Sequence, residues 1–100
     1  GESKAELTNL GKALRARLAP VGEVEALLAD QIIASAWRLK HALEAEAALM
    51  DKAGCPDAAF RGYEGHAIER IMRYHAAIER SMFRAMHELE ALQMRRDAQA

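Results

Sequence analysis

The feature that most limits the fold is an unbroken run of helix-forming sequence from Glu23 to Lys52. This stretch contains neither proline nor glycine, the two residues that most strongly interrupt a helix. Pro20 lies shortly before it and Gly54 closes it, which are common positions for helix boundaries. The pattern therefore predicts one long helix over about residues 21–52.

The composition extends this expectation to the whole chain. Ala, Leu, Glu, Arg and Lys make up 58 of the 100 residues, a bias typical of long helices and coiled coils. Only eight residues are Val, Ile or Thr, so too few strand-forming side chains are present to build a sheet. We expect an all-α fold.

A shorter helix is predicted over about residues 3–19. Ser3 can cap it, with Glu6 in the position of a capping box. Four leucines at helical spacing share one side of it: Leu7, Leu10, Leu14 and Leu18.

The second helix is apolar on two sides. One stripe consists of Leu28, Ile32, Ala36, Leu39, Leu43 and Met50. The other consists of Leu27, Ala34, Trp37, His41, Ala45 and Ala48. A helix with so broad an apolar surface is expected to pack against more than one neighbour.

The third helix, predicted over about residues 57–96, has the sharpest pattern. Its apolar side follows strict 3-4 spacing over almost four heptads: Ile68, Ile71, His75, Ile78, Met82, Ala85, Leu89 and Leu92. That spacing is typical of a coiled-coil seam. The sequence leaves two starts open for this helix, at Pro56 or only after Gly62 and Gly65.

The lengths of the helices predict the architecture. At about 1.5 Å per residue, the second helix spans about 45 Å, whereas a compact monomer of this size has a radius of gyration of about 13 Å. We therefore expect a single domain with a short N-terminal helix and a long antiparallel helical hairpin. Such a hairpin leaves apolar surface exposed to water, and we expect self-association to bury it. Because the chain begins at Gly1 and not at a methionine, we also expect it to be a piece of a longer protein.

Two pairs of side chains could carry polar chemistry. His75 and Glu79 lie one turn apart on the third helix, and His41 and Glu44 form a similar pair on the second. If the third helix starts late, the hairpin register brings His41 near His75. If it starts at Pro56, His75 instead faces about Ala34 and Ser35.

The first hypothesis for these residues is structural, a polar pair that fixes register in an apolar interface. The alternative is a metal- or haem-binding bundle that uses His41, His75 and Glu79. No Glu-x-x-His motif of the di-iron bundles occurs in the chain. We therefore predict no cofactor and no metal site, and keep these three residues as the candidates.

A row of arginines follows the outer side of the third helix: Arg70, Arg73, Arg80 and Arg84. It could contact phosphates, or acidic side chains of a neighbouring subunit. The net charge of −1 and the absence of aromatic residues within the row give nucleic-acid binding little support. The aromatic side chains of Trp37, Tyr74 and Phe83 are expected to be buried anchors.

Enzymatic motifs are missing from the sequence. It has no Gly-rich phosphate loop, nucleophile elbow or zinc-protease motif, and Cys55 has no neighbouring His or second Cys. We expect no catalytic residues. One cysteine excludes an intrachain disulfide and no apolar stretch approaches the roughly 18 residues needed to cross a bilayer. A cytoplasmic protein without a membrane partner is expected.

Two segments resemble a family of uncharacterised bacterial helical proteins, which is in turn similar to phage small-terminase-like proteins. Residues 73–93 read RYHAAIERSMFRAMHELEALQ, and residues 20–42 read PVGEVEALLADQIIASAWRLKHA. The resemblance rests on the Trp-Arg-Leu and Arg-Tyr-x-x-x-Ile-Glu-Arg cores. It implies a role in DNA packaging or another DNA-associated assembly. In this interpretation Glu79 faces inward and meets Arg38 across the hairpin.

These observations predict a non-enzymatic oligomerisation or scaffold module. The expected core and subunit interface is formed by Leu39, Leu43, Ile68, Ile71, Ile78, Met82, Leu89 and Leu92. The expected partners are further copies of the chain, with DNA or another protein as additional candidates. A protein–protein adaptor whose methionine-rich side accepts a partner helix is a third possibility.

Overall fold

The computed structural model describes residues 2–53 and 62–99, and the side chains of residues 3–52 and 66–99. Three helices make up this part of the chain: α1 (Glu2–Leu18), α2 (Gly22–Ala53) and α3 (Gly62–Gln99). The expectation of an all-α fold is confirmed for these residues. The turn around Cys55 and the proposed helix start at Pro56 lie outside them. No helix among the described residues is long and apolar enough to cross a membrane.

The contacts between residues cluster into two compact units. Unit 1 comprises Gly1–Trp37 and Arg80–Ala100, and unit 2 comprises Arg38–Glu79. Helices α2 and α3 each contribute to both units, whereas α1 belongs to unit 1 alone. Each unit therefore has its own pairing of α2 with α3, and each is described separately.

The core of unit 1 is formed where α2 meets α3. Ile32, Ala85 and Leu89 are buried together, and three partly buried side chains pack on them: Leu18, Leu28 and Met82. Apolar side chains at 3-4 spacing bring these residues to one side of each helix. A side-chain contact of 3.5 Å joins Gln31 to Ser81 near this core.

Helix α1 packs on the first half of α2. A Cβ added at Gly11 would lie 3.7 Å from Cγ2 of Ile33, an ordinary van der Waals distance, so the two helices pack side by side at this point. Ala29 is fully buried on α2. Arg15 and Asp30 form an ion pair between the helices, and both side chains are at least half exposed. Such an exposed pair contributes little stability.

The turn between α1 and α2 uses left-handed backbone at two positions. Ala19 has φ 44° and Gly22 has φ 85°. The Ala19 amide still donates to the Arg15 carbonyl at 2.9 Å, closing the last turn of α1. Pro20 cannot continue a helix because it lacks an amide hydrogen, which explains why α1 ends here as predicted.

The buried side of α2 agrees with the first predicted stripe at Leu28, Ile32 and Leu39 and differs from the second. In unit 1 it is formed by Glu25, Leu28, Ile32 and Ser35, and in unit 2 by Leu39, Ala42, Glu46 and Leu49. These positions follow 3-4 spacing as strictly as those of α3 do. We call the two sets of 3-4 positions, on α2 and on α3, the seam. Polar residues occupy the α2 seam at several positions, which is why the apolar pattern alone found only part of it.

The predicted second stripe of α2 is largely exposed. Leu27 is 69% exposed, His41, Ala45 and Ala48 are exposed as well, and only Ala34 and Trp37 are half-buried. The prediction of buried aromatic anchors is wrong for two of the three side chains, because Tyr74 and Phe83 lie just beside the α3 seam and are each 54% exposed.

Candidate functional site

The most distinctive polar cluster of unit 2 is centred on the His75 imidazole. Its Nε2 lies 3.1 Å from Oε1 of Glu79, and its Nδ1 lies 3.3 Å from Oε2 of Glu46. The His75 and Glu46 side chains are 23% and 19% exposed, whereas Glu79 is 42% exposed. One ring is thus held between two carboxylates, one on each helix.

Local sequence explains how these groups meet. His75 occupies a seam position of α3, between the half-buried Ile71 and the buried Ile78. Glu79 follows one helical turn later, where i,i+4 side chains are neighbours. Glu46 reaches the same point from a seam position of α2.

The two contacts require a doubly protonated ring, since each ring nitrogen must donate to a carboxylate. The hydrogen bond that the ring donates to Glu79 raises the pKa of His75 above its usual 6.5, burial opposes this, and the hydrogen bond to Glu46 raises it further. Both carboxylate contacts therefore favour the charged form of the ring.

A second polar cluster lies in the seam of unit 1, centred on Glu25. Its side chain is buried, with 6% exposed. Oε1 accepts from the Val21 amide at 3.0 Å and from Nε2 of Gln93 at 3.3 Å. Arg96 donates from Nε to Oε2 at 3.1 Å and from Nη2 to Oε1 at 3.3 Å, a bidentate geometry.

This arrangement also stabilises the charged form of Glu25. The Val21 amide hydrogen bond lowers the pKa of the carboxyl below 4.5, against the effect of burial, and Arg96 and Gln93 lower it further. Gln93 additionally donates to the Leu18 carbonyl at 2.7 Å. The cluster thus joins the α1–α2 turn to the C-terminal part of α3.

The two clusters share one sequence relationship. Glu25 and Glu46 are three heptads apart on α2, and His75 and Arg96 are three heptads apart on α3. Each unit therefore pairs a seam acid of α2 with a seam base of α3. If α2 slipped by one heptad along α3, each of these charged side chains would face apolar seam residues of the other helix. The pairs therefore favour one register of α2 against α3.

The sequence identified only part of this site. His75 and Glu79 form the predicted pair, but the partner of His75 on α2 is Glu46, so both predicted registers, facing His41 or facing Ala34 and Ser35, are wrong. The contact predicted between Glu79 and Arg38 is not formed among the described residues: Arg38 lies on the exposed side of α2.

The metal-site candidates are distributed over different contacts. His41 Nδ1 lies 3.7 Å from Oε2 of Glu44 in a mostly exposed pair, whereas His75 and Glu79 belong to the seam cluster. In the part of the chain that the structure describes, no group of three or more His, Cys, Asp or Glu side chains is arranged to hold a metal ion.

The predicted interface residues divide by burial. Ile68, Ile78 and Leu89 are buried, and four are half-buried: Leu39, Ile71, Met82 and Leu92. Leu43 is 45% exposed, because it lies one position after the Ala42 seam position and α1 does not belong to unit 2.

The arginine row is exposed in both units. In unit 2, Arg70 is exposed and Arg73 lies 3.9 Å from Glu69 in an i,i+4 pair. In unit 1, Arg80 and Arg84 are exposed, and no carboxylate of the described residues lies within ion-pair distance of either. These arginines take no part in the seam.

Comparison with known proteins adds no relative to this picture: no protein-family model matches the chain, and no curated protein or solved structure gives a significant match. Any functional conclusion therefore rests on the chain's own residues and their geometry.

Proposed function

We propose that the chain is a non-enzymatic self-assembly module that associates with further copies of itself through an exposed apolar face at the start of α2. The observation that carries this proposal is the row Val21, Val24 and Leu27, which are 55%, 62% and 69% exposed. We call these three residues the α2 apolar row. Val24 and Leu27 lie one turn apart on one side of α2, and Val21 lies in the turn just before α2 begins at Gly22.

The α2 apolar row lies outside the seam. Glu25 and Leu28 carry the seam at this end of α2, so burial of the row needs a surface beyond the described α2–α3 contacts. An exposed contiguous apolar row is typical of an interaction site, whereas single exposed apolar side chains are ordinary.

A second copy of the chain is the occupant that the charges favour. The net charge is −1, so two copies repel each other very little and no excess charge selects a partner of opposite sign. A symmetric contact uses the same row on both copies. Assembly of helical hairpins in this way, with or without DNA, is the form of the proposal that the family resemblance favours.

The experiment compares molar masses by light scattering for the wild type and for V24S/L27S. The double substitution removes apolar surface from the α2 apolar row without touching the seam. We expect the wild type to have a mass above that of one chain at tens of micromolar and the variant to shift towards the monomer.

The matched control is M94S. Met94 is 65% exposed on α3, similar to Leu27, but it is not part of the α2 apolar row. M94S is expected to keep the wild-type mass. Equal masses for wild type and V24S/L27S would contradict the assignment of this row, provided that circular dichroism shows unchanged helix content.

A further inference from the structure

The two seam clusters differ in the base that each uses. Arg96 pairs with Glu25 in unit 1, and a guanidinium stays protonated at every pH at which the chain is folded. His75 pairs with Glu46 in unit 2, and imidazole changes its charge near neutral pH. The same kind of seam position thus carries a permanent cation in one unit and a titratable one in the other.

We propose that His75 is a pH-sensitive latch between α2 and α3 of unit 2, tight while its ring is doubly protonated and weakened when the ring becomes neutral. This proposal goes beyond self-assembly and does not depend on it.

The number of N–H donors on the ring explains why loss of its proton weakens the contact. A neutral imidazole has one N–H and one lone pair, so it can donate to only one of its two carboxylates. The other ring nitrogen would then point its lone pair at an oxygen of the second carboxylate, which lies 3.1 Å away if this is Glu79 and 3.3 Å away if it is Glu46. Both carboxylates can be retained only by the charged ring.

The two carboxylates are not equally able to leave. Glu79 is 42% exposed and can turn towards water, whereas Glu46 is 19% exposed. An ionised carboxylate that loses its partner in a half-buried position is unfavourable. The neutral ring is therefore expected to keep its one N–H donor on Glu46 while Glu79 turns towards water, so the α2–α3 contact weakens from a charge-assisted to a neutral-donor hydrogen bond.

Two other basic side chains of unit 2, Arg73 and His41, contact other carboxylates. Among its described residues, the charged groups that face His75 are Glu46 from α2 and Glu79 from α3. Arg73 is directed at Glu69, one turn before it on α3. His41 of α2 contacts Glu44. In the described contacts, His75 is the group that joins Glu46 of α2 to Glu79 of α3.

The direction of the pH effect follows from the two carboxylates, which raise the pKa of His75 above 6.5 in the folded chain. The contribution of protonated His75 to the free energy of unfolding is complete below the unfolded-state pKa of about 6.5. It is lost as the pH rises through the folded-state pKa. Because one proton is involved, the folding equilibrium constant changes by at most about tenfold per pH unit in this window.

The experiment measures urea unfolding from pH 6 to pH 9 for wild type, His75→Arg and His75→Gln. We expect the wild type to lose stability with rising pH relative to both variants. H75R supplies the permanent cation found at Arg96 and should remove this part of the pH dependence. The same slope in wild type and H75Q would overturn the proposal.

A second measurement uses only the wild type, so it remains decisive if a variant does not fold. Nitrogen NMR shifts of the histidine rings report which nitrogens are protonated, with His87 as an exposed internal reference. At pH 6, below the ordinary histidine pKa of 6.5, we expect both nitrogens of His75 to be protonated, and amide protection around Ala42 to fall as the ring titrates. A His75 ring that is neutral at pH 6, or amide protection that does not follow its titration, would overturn the latch.

Discussion

The guanidinium of Arg96 lies in bidentate contact with the buried carboxylate of Glu25, at 3.1 Å and 3.3 Å. The same carboxylate accepts the Val21 amide, so one buried anion joins the last turns of α3 to the α1–α2 turn. Removal of a buried charged partner leaves the remaining groups without compensation. The stability of unit 1 should therefore depend on this cluster and on the packing beside it.

Glu25→Gln is expected to destabilise the chain clearly at neutral pH, because an amide can neither pair with Arg96 nor accept as strongly from Val21. Glu23→Gln is the matched control: Glu23 lies in the same first turn and shares its favourable interaction with the helix dipole, but it is exposed. Thermal unfolding should show a much lower midpoint for E25Q than for E23Q. Equal midpoints would contradict the role of the cluster.

The pH dependence of the same variant gives a separate check. The folded-state pKa of Glu25 lies below 4.5, so its contribution is present above that value and is lost as the pH falls through the folded-state pKa. We expect the stability difference between wild type and E25Q to shrink as the pH falls below 4.5. A difference that stays constant in acid would show that the charge of Glu25 is not what stabilises unit 1.

Alanine substitutions at two glycines should change the free energy of unfolding in opposite directions. Gly22 has φ 85° and open space where a Cβ would be added, so Gly22→Ala is unfavourable through the backbone alone, by about 1–2 kcal/mol. Gly11 lies inside α1, and an added Cβ would lie 3.7 Å from Ile33, so Gly11→Ala should stabilise by about 0.5–1 kcal/mol. Urea unfolding measures both, and destabilisation by G11A would mean that α1 packs more tightly on α2 than this distance indicates.

The core of unit 1 should be sensitive at Leu89. Its side chain is 2% exposed and packs with Ile32 and Ala85, so Leu89→Ala is expected to lower the free energy of unfolding by about 2–5 kcal/mol. Met94→Ala, five residues later on α3 and 65% exposed, should stay within about 0.5 kcal/mol of wild type. Chemical denaturation distinguishes them, and similar values for the two variants would contradict this core.

The sequence predicted the helices and the α3 seam well for a physical reason. Pro20 and Gly22 interrupt helices through their own backbone chemistry, and their effect does not depend on tertiary contacts. On α3, Ile68, Ile78 and Leu89 are apolar at strict 3-4 positions, so local periodicity already marks the side that becomes buried.

The α2 seam could not be found in the same way. Glu25, Ser35 and Glu46 occupy it, while the apolar Leu27 and Leu43 lie beside it and are exposed. A pattern of apolar residues on one helix cannot predict that an acid is buried, because the burial depends on a base from another helix. The equal three-heptad spacing of the acids on α2 and the bases on α3 was the signal that could have revealed Glu46 as the partner of His75.

Sedimentation equilibrium of the unmodified chain at tens of micromolar tests the proposed function most directly. One chain has a mass of 11.1 kDa. Self-assembly through the α2 apolar row predicts a mass that is a multiple of this value and that decreases on dilution or in V24S/L27S. A mass of one chain at every concentration would contradict the proposal that this protein is a self-assembly module.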